Sequence, residues 1–337
     1  MAQNFDNDKL MTLLDPSDCQ KDSEPSDAPP PQEVLDAEES DKIQDCDDQL
    51  KEFVQIENMT LPVIHGKGFR GMPAVVALSA VFPSFRRPKD ELIEREIVGI
   101  YDGHLLTYES GHALNVFDEE IVLALFKLFS THQLPLNNQV IKVKLSDLTR
   151  LVGKSHGGKN NAWVLSRLKR LRGATFSLTS MDMDPEKDKG SVHTFTILSH
   201  LSFKEGNLYL ALDPRWAEMF ASFPISLIYT PMRMLLNSAH ARVIHRILST
   251  SNSATQRLSE SRLIKILGWT GTRKRDFWTA VKKASDELLQ TEVISHYEIS
   301  KSPRGETLII YVVNHDKLKP GLHGVEYTGT KFDPNDK

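Results

Sequence analysis

The chain has 337 residues, 40% hydrophobic and 26% charged, which is typical of a globular protein long enough to bury the cores of two domains. Its two cysteines, Cys19 and Cys46, exclude a disulfide framework and lack metal-ligand spacing. No apolar run approaches the length of about 18 residues that a membrane span needs, and the N-terminus lacks the signal-peptide pattern. We therefore expect a cytoplasmic protein.

The net charge of −4 conceals a strong asymmetry along the chain. Residues 1–60 contain 17 acidic and 4 basic residues, a charge of −13, which leaves +9 on the rest. The first 48 residues are rich in Asp, Glu, Ser and Pro, a composition that predicts disorder. A basic body behind an acidic tail favours nucleic-acid binding, and the tail is expected to compete with DNA for that body.

Two stretches of the chain have the order of elements of a winged helix. In the first, an Asp102-Gly103 turn predicts a hairpin of Glu96–Tyr101 with His104–Glu109. Asp118 and Ser146 are predicted to cap two helices, and Gly153 is predicted to end the second. A basic third helix follows from about Lys159 to Leu171, and then come predicted strands at Phe176–Ser180, Val192–Leu201 and Leu208–Leu212.

The second stretch repeats this order after a short linking helix at Trp216–Phe220. Its first helix is predicted at Ser238–Thr250, and Leu258–Leu267 contains the second. The third begins with Thr272 as its cap and buries a face with helical spacing, made of Phe277, Val281, Ala284 and Leu288. Two strands, Val293–Ser300 and Thr307–Val313, are expected to form the wing.

A shift of 115 residues superimposes the two stretches. It places Leu148 on Leu263, Leu151 on Ile266, Val152 on Leu267, Gly153 on Gly268 and Trp163 on Trp278. The prediction is an α+β protein with two tandem winged helix-turn-helix domains and a disordered acidic N-terminal tail. We place the tail at residues 1–60, the first domain at 61–213, the second at 214–315 and a C-terminal tail at 316–337.

Basic and base-reading side chains concentrate on both third helices. Arg is suited to guanine and Asn to adenine, and a Thr methyl can meet thymine. In the second domain the predicted DNA-binding residues are Arg273, Lys274, Arg275, Thr279, Lys282 and Lys283. In the first they are Lys159, Asn160, Asn161, Arg167 and Arg170.

Motifs that would indicate catalysis are weak or missing. Gly66 to Gly71 match G-x-G-x-x-G, but Pro62 and Pro73 flank the match and no βαβ pattern follows, so a flexible loop is favoured. Gly153-Lys154-Ser155 resembles the end of a P-loop, except that Leu148 stands where its first Gly is needed. His240 and His245 are expected at a helix surface or interface. We expect neither an enzyme nor a bound cofactor or metal.

Three motifs, in this order and spacing, resemble those of TrfA-type iteron-binding plasmid replication initiators. They are Leu106–Gly111 running to Asp118–Glu120, Leu236–Ser251 with its internal Ala241-Arg242 pair, and Gly271–Arg273 followed by the helix with Trp278. The resemblance covers about Gln49 to Val313. It implies two winged helices that bind tandem direct repeats in double-stranded DNA at a plasmid origin.

Further roles follow from that resemblance. It implies opening of adjacent A·T-rich DNA, recruitment of the host helicase and initiator, and copy control through a monomer–dimer balance. The second domain would make the main base contacts through Arg273, Lys274, Arg275 and Thr279, and the first would contact flanking DNA and form the dimer. Gln49, Leu50 and Phe53 match the family's sliding-clamp motif, Gln-Leu-x-Leu-Phe, with Glu52 in place of its second Leu.

Other functions fit the same pattern of elements. A winged-helix transcriptional regulator would bind a single, usually inverted, operator and leave the duplex closed. A structural protein would use the winged helices for protein contacts only. From the residues alone, Leu50 and Phe53 also fit one edge of a short amphipathic turn.

Overall fold

The computed structural model describes residues 60–64, 66–85, 91–133, 136, 140–181 and 194–322. Within these ranges the chain is α+β, as predicted. Its helices are α1 Ala74–Ala77, α2 Val116–His132, α3 Leu145–Leu151, α4 Gly158–Gly173, α5 Arg215–Ser222, α6 Thr230–Leu235, α7 Ala239–Leu248, α8 Glu260–Leu267, α9 Lys274–Gln290 and α10 His315–Leu318. The predicted disorder of the tail and the clamp peptide at Gln49, Leu50 and Phe53 lie outside the described residues.

The strands pair in antiparallel sheets. They are β1 Phe69–Pro73, β2 Leu92–Tyr101, β3 His104–His112, β4 Ile141–Lys144, β5 Thr175–Ser180, β6 Thr194–Thr196, β7 Leu198–Lys204, β8 Asn207–Leu212, β9 Ile225–Tyr229, β10 Thr255–Ser259, β11 Ile294–Lys301 and β12 Thr307–Val313. In the described ranges they form sheets with the orders β1-β9, β2-β3-β5-β6, β4-β8-β7 and β10-β12-β11.

Two of these sheets belong to winged helices, which confirms the predicted tandem pair. The first winged helix runs α2, β4, α3, α4 and the β7–β8 wing, and the second runs α7, β10, α8, α9 and the β11–β12 wing. In each, the strand between the first two helices pairs with the last strand of the wing. The short strands β4 and β10 were not predicted from the sequence.

Strands β5 and β6, which belong to an additional sheet with β2 and β3, come in sequence between α4 and the first wing. The β2–β3 hairpin turns at Asp102 and Gly103, whose φ values of 47° and 73° fit the predicted two-residue turn. The predicted strand Val192–Leu201 is wrong as a single strand. It divides near Ile197, because β6 pairs with β5 in this sheet while β7 pairs with β8 in the wing.

The G-x-G-x-x-G segment was predicted to be a flexible loop, and its second half is instead a strand. β1 begins at Phe69 and pairs with β9 from Phe69↔Tyr229 to Pro73↔Ile225. All five residues of β1 are buried. The second half of the segment is therefore part of the structural core, and all strand pairs in the described ranges are antiparallel, so none there forms a βαβ unit.

Three predicted helix caps are wrong by one to three residues. Asp118 lies inside α2, where Asn115 is the N-cap and the two side chains form a reciprocal capping box. Helix α3 begins at Leu145, before Ser146, and α9 begins after Arg273 rather than after Thr272, in both cases without a side-chain cap. Capping depends on where the chain leaves its extended conformation, which residue type alone does not determine.

The repeat holds for the second helices but not for the third. Gly153 and Gly268 both end a helix with left-handed φ values of 83° and 73°, as their alignment predicts. The same shift would place buried Val164 on exposed Thr279. The buried faces align two residues further along, with Val164 on Val281, so the match of the two tryptophans is not structural.

A buried ionic cluster joins the two winged helices. Glu119 of α2 contacts Arg246 of α7 at 2.7 Å and Arg233 of α6 at 2.9 Å, and all three side chains are essentially inaccessible to solvent. Glu120 contacts Arg233 at 2.8 Å and Arg242 at 3.4 Å. The first helix of one winged helix is thus tied to the first helix of the other.

Of the two places expected for His245, a helix surface and an interface, the surface is wrong. Its side chain is fully buried in α7, next to the ionic cluster. Neither ring nitrogen has a hydrogen-bond partner in the described part of the chain. Burial, reinforced by the charge of Arg233, lowers the pKa of His245 from 6.5 to about 3, so the ring is neutral at physiological pH.

Candidate nucleic-acid interface

The third helix of the second winged helix, α9, has one buried face and one polar face. Phe277, Val281 and Leu288 are fully buried against α7 and the wing sheet. On the opposite face Arg275, Thr279 and Lys282 are exposed and follow one another at intervals of four and three residues. Residues at this spacing share one helix face. We call these three residues the α9 stripe.

The end of the stripe is set by an acidic residue. Asp286 comes one turn after Lys282 and accepts a hydrogen bond of 2.6 Å from the hydroxyl of Tyr297 on β11. That bond is the main reason why the pKa of Tyr297 is raised to about 12. The bond links α9 to its wing. The basic residues of α9 all come before Asp286, and the N-terminal part of the third helix is the part that meets base edges in helix-turn-helix proteins.

The remaining predicted residues of this helix lie around the stripe. Arg273 and Lys283 are exposed. The Lys274 ammonium lies 2.6 Å from a carboxylate oxygen of Glu260, at the start of α8. That hydrogen bond lowers the pKa of Glu260. Lys274 therefore helps to hold the two helices of the motif together, in addition to presenting a positive charge.

The wing of the second domain adds two cations that the sequence analysis did not select. Lys301 ends β11 and Arg304 lies in the turn before β12, and both are exposed. Basic residues at the tip of a predicted hairpin were the available signal. Together with the α9 stripe they give this domain two separate basic elements.

The third helix of the first winged helix presents its predicted residues differently. Lys159 is exposed, but the Asn160 amide donates to the carbonyl of Ser155 at 2.8 Å. The amide oxygen of Asn161 accepts from the Thr149 hydroxyl at 2.9 Å. Asn160 therefore holds the turn in front of α4 to that helix, and Asn161 holds α4 to α3.

Arg167 and Arg170 also contact their own domain. Arg167 contacts the fully buried carboxylate of Asp118 at 3.0 Å, and Arg170 donates to the carbonyl of Ala113. These bonds fix α4 against the start of α2. The face of α4 opposite its buried side is exposed and consists of two lysines and two uncharged residues, namely Lys159, Ala162, Ser166 and Lys169.

An open groove of about 400 Å³ lies between α4 and the first wing. Its lining is mainly apolar and includes Leu145, Leu165 and Phe203, and Phe203 is 47% exposed. Of the predicted DNA-binding residues, the exposed guanidinium groups are thus on α9 rather than on α4. No helix in the described part of the chain is long and apolar enough to span a membrane.

No protein-family model and no curated protein matches this chain. Among solved structures, the chain is similar to crystal structures of domains 2 and 3 of RctB. One is 15% identical with a TM-score of 0.47, over 69% of this chain and 94% of that one. The other is 13% identical with a TM-score of 0.48, over 72% of this chain and 98% of that one. At this level the likeness identifies neither a family nor a function.

Proposed function

We propose that the protein is a sequence-specific DNA-binding replication initiator that binds direct repeats at a plasmid origin in the bacterial cytoplasm. The observation that carries the DNA-binding part is the exposed α9 stripe on a winged-helix scaffold. An arginine, a threonine and a lysine on one face supply groups for base edges and phosphates. The initiator role rests on the resemblance of the sequence to TrfA-type initiators. No catalytic step or cofactor is part of the proposal.

The two winged helices have different tasks in this proposal. The second reads bases through Arg275 and Thr279, with Arg273, Lys274, Lys282 and Lys283 beside them. The first contacts flanking phosphates through Lys159 and Lys169, because its Asn160, Asn161, Arg167 and Arg170 side chains bond within the domain. Such a division gives strong base discrimination on one half of each repeat and mostly salt-sensitive binding on the other.

We further propose that dimers form through the first domain. β2 is an edge strand of its sheet in the described residues and carries three exposed apolar side chains, Leu92, Ile97 and Ile100, which are 62%, 49% and 57% exposed. Unpaired strand edges with apolar side chains favour pairing with another strand. A monomer–dimer balance at this edge would control how much protein is free to bind repeats. Opening of A·T-rich DNA and contacts with the host helicase, initiator and sliding clamp complete the proposed role.

Selection of bound sequences from a random DNA pool tests the proposal directly. Enrichment of a motif that binds better still when repeated in the same orientation supports an initiator. Enrichment of a single inverted motif supports a transcriptional regulator instead. Binding without any enriched motif, or no binding at low salt, would contradict sequence-specific recognition.

A further inference from the structure

A short segment of the first half of the chain lies against the helix-turn-helix of the second. We call residues Phe82–Phe85 the strap; it follows α1 and comes before β2 in sequence. The backbone N–H groups of Ser84 and Phe85 donate to the carbonyl of Leu267 at 3.1 and 2.9 Å. Leu267 is the last residue of α8, and carbonyls at a helix end have no partner within the helix. The strap therefore supplies partners that the end of α8 needs.

The turn between α8 and α9 fits closely around the strap. Gly268 has a left-handed φ of 73°, which favours glycine. A Cβ atom at this position would lie 2.5 Å from Cβ of Pro83. Pro83 is held in place in turn, because its carbonyl accepts from the N–H of Val116 at 3.1 Å. The strap thus leaves no room for a side chain at the turn, and it also makes hydrogen bonds to the end of α8.

The ring of Phe85 connects the strap to the recognition helix. Its centroid lies 4.2 Å from that of His240, 4.7 Å from that of Trp269 and 6.4 Å from that of Phe277. Trp269 and Phe277 are themselves 5.9 Å apart. Phe277 is the first buried residue of α9 and lies between Arg275 and Thr279 in sequence. The aromatic cluster therefore lies beneath the first turns of the α9 stripe.

The strap is also anchored to the ionic cluster between the two winged helices. Arg246 donates to the carbonyls of Phe82 at 3.3 Å and Ser79 at 3.1 Å while it contacts Glu119. The Ser84 hydroxyl lies 2.7 Å from Nδ1 of His240. A continuous set of contacts thus runs from α2 through the strap to the turn before α9.

We infer that Phe85 is a positioning residue for the second recognition helix, although it belongs to the first half of the chain. It fixes the direction of α9 relative to α8, and its effect on DNA rests on the proposed function. Base contacts require close alignment of the α9 stripe, whereas phosphate contacts with flexible lysines tolerate displacement. Loss of the ring should therefore reduce discrimination between DNA sequences more than it reduces binding to DNA in general.

The test compares Phe85→Ala with the conservative Phe85→Tyr and with Tyr101→Ala in the full-length chain. Tyr101 is a matched control because it is also half-buried and makes an edge contact with an aromatic ring, Phe223, in the core of the first winged helix rather than of the second. Hydrogen exchange of the α8–α9 turn is measured without DNA. For each protein, the affinity for the selected DNA is also divided by the affinity for scrambled DNA. Phe85→Ala should speed exchange at the turn and lower that ratio about tenfold. Both controls should match the original protein.

Unchanged exchange at the turn in Phe85→Ala would overturn the inference, as would faster exchange with an unchanged affinity ratio. An equal loss of affinity for both DNAs would reduce Phe85 to a general stabilising role and would also contradict it. Failure of the original protein to discriminate DNA sequences would contradict the proposed function, while hydrogen exchange would still decide whether the strap holds the turn. Phe85→Leu retains apolar volume without the ring and gives the same test where Phe85→Ala does not fold.

Discussion

In the proposed function, Arg275 is the side chain on which base recognition depends most. It is exposed, it lies opposite the buried face of α9, and it is the one guanidinium of the α9 stripe. Replacing it with Ala should cost about 1–3 kcal/mol of binding free energy at one base position and relax specificity there. The measurement is a set of affinities for the selected site and its single-base variants.

Arg257→Ala is the matched control, because Arg257 is exposed in the same domain but lies on β10, away from α9. It should leave base preferences unchanged. If Arg275→Ala weakened all DNA sequences equally, Arg275 would contact phosphate only, and the assignment of base reading to the stripe would fail.

His245 gives the fold a specific sensitivity to acid. Its pKa is about 3 in the folded chain and near the ordinary value of 6.5 when unfolded. Between these values only the unfolded chain binds the extra proton, so the stabilising effect of the neutral ring is complete above pH 6.5 and is lost as pH falls. This residue should lower the free energy of unfolding by about 1.4 kcal/mol per pH unit below 6.5.

Denaturant unfolding of His245→Leu at several pH values measures that contribution. The variant should match or exceed the original stability at pH 7.5, since leucine leaves no unpartnered ring nitrogen. The difference between the two proteins should grow in favour of the variant as pH falls from 6.5 to 4.5. Parallel pH profiles would mean that His245 is solvated or paired when folded.

At the scale of elements, the ionic cluster between α2, α6 and α7 carries the connection of the two winged helices. Glu119→Gln would leave the buried charge of Arg246 without its carboxylate partner and Arg233 with Glu120 alone. Breaking one partner of a buried ion pair commonly costs about 3–5 kcal/mol. We expect the free energy of unfolding of Glu119→Gln to fall by this amount, which denaturant unfolding would show as a lower midpoint.

Glu292→Gln serves as the comparison, because its pair with Lys317 is also short, at 2.7 Å, but largely exposed. Exposed pairs contribute little, so this variant should unfold almost as the original does. If Glu119→Gln lost as little free energy of unfolding as Glu292→Gln, water would have to reach Glu119, and the ionic cluster would not hold the two winged helices together.

Features that depend on the spacing of neighbouring residues were predicted correctly from the sequence. Features that depend on contacts between residues far apart in the chain were not. The spacing of Phe277, Val281 and Leu288 defined the buried face of α9 from the sequence alone. Nothing local indicates that the Asn161 amide bonds to Thr149 or that Arg167 bonds to buried Asp118, so both seemed available to DNA. The strap was missed for the same reason, since it meets Leu267 across 183 residues of sequence.

For the whole molecule, we expect the separation of charge along the chain to govern how the proposed DNA binding responds to salt. Residues 1–60 carry −13 and the rest carries +9. Removing residues 1–48 should raise affinity for non-specific DNA at low salt, because tethered negative charge no longer competes for the basic surface. Titration of scrambled duplex DNA at low and near-physiological salt measures the effect. Equal affinity at low salt would show that the tail stays clear of the basic surface.

Footprinting tests most directly whether the two winged helices act together as one initiator. The purified full-length protein is bound at near-physiological salt to the DNA that flanks its own gene, and both nuclease protection and base reactivity are mapped. We predict protection that recurs at a fixed interval of about two helical turns, with a reactive A·T-rich stretch beside it. A single protected inverted repeat over a promoter, with the duplex closed throughout, would contradict the initiator and favour a transcriptional regulator.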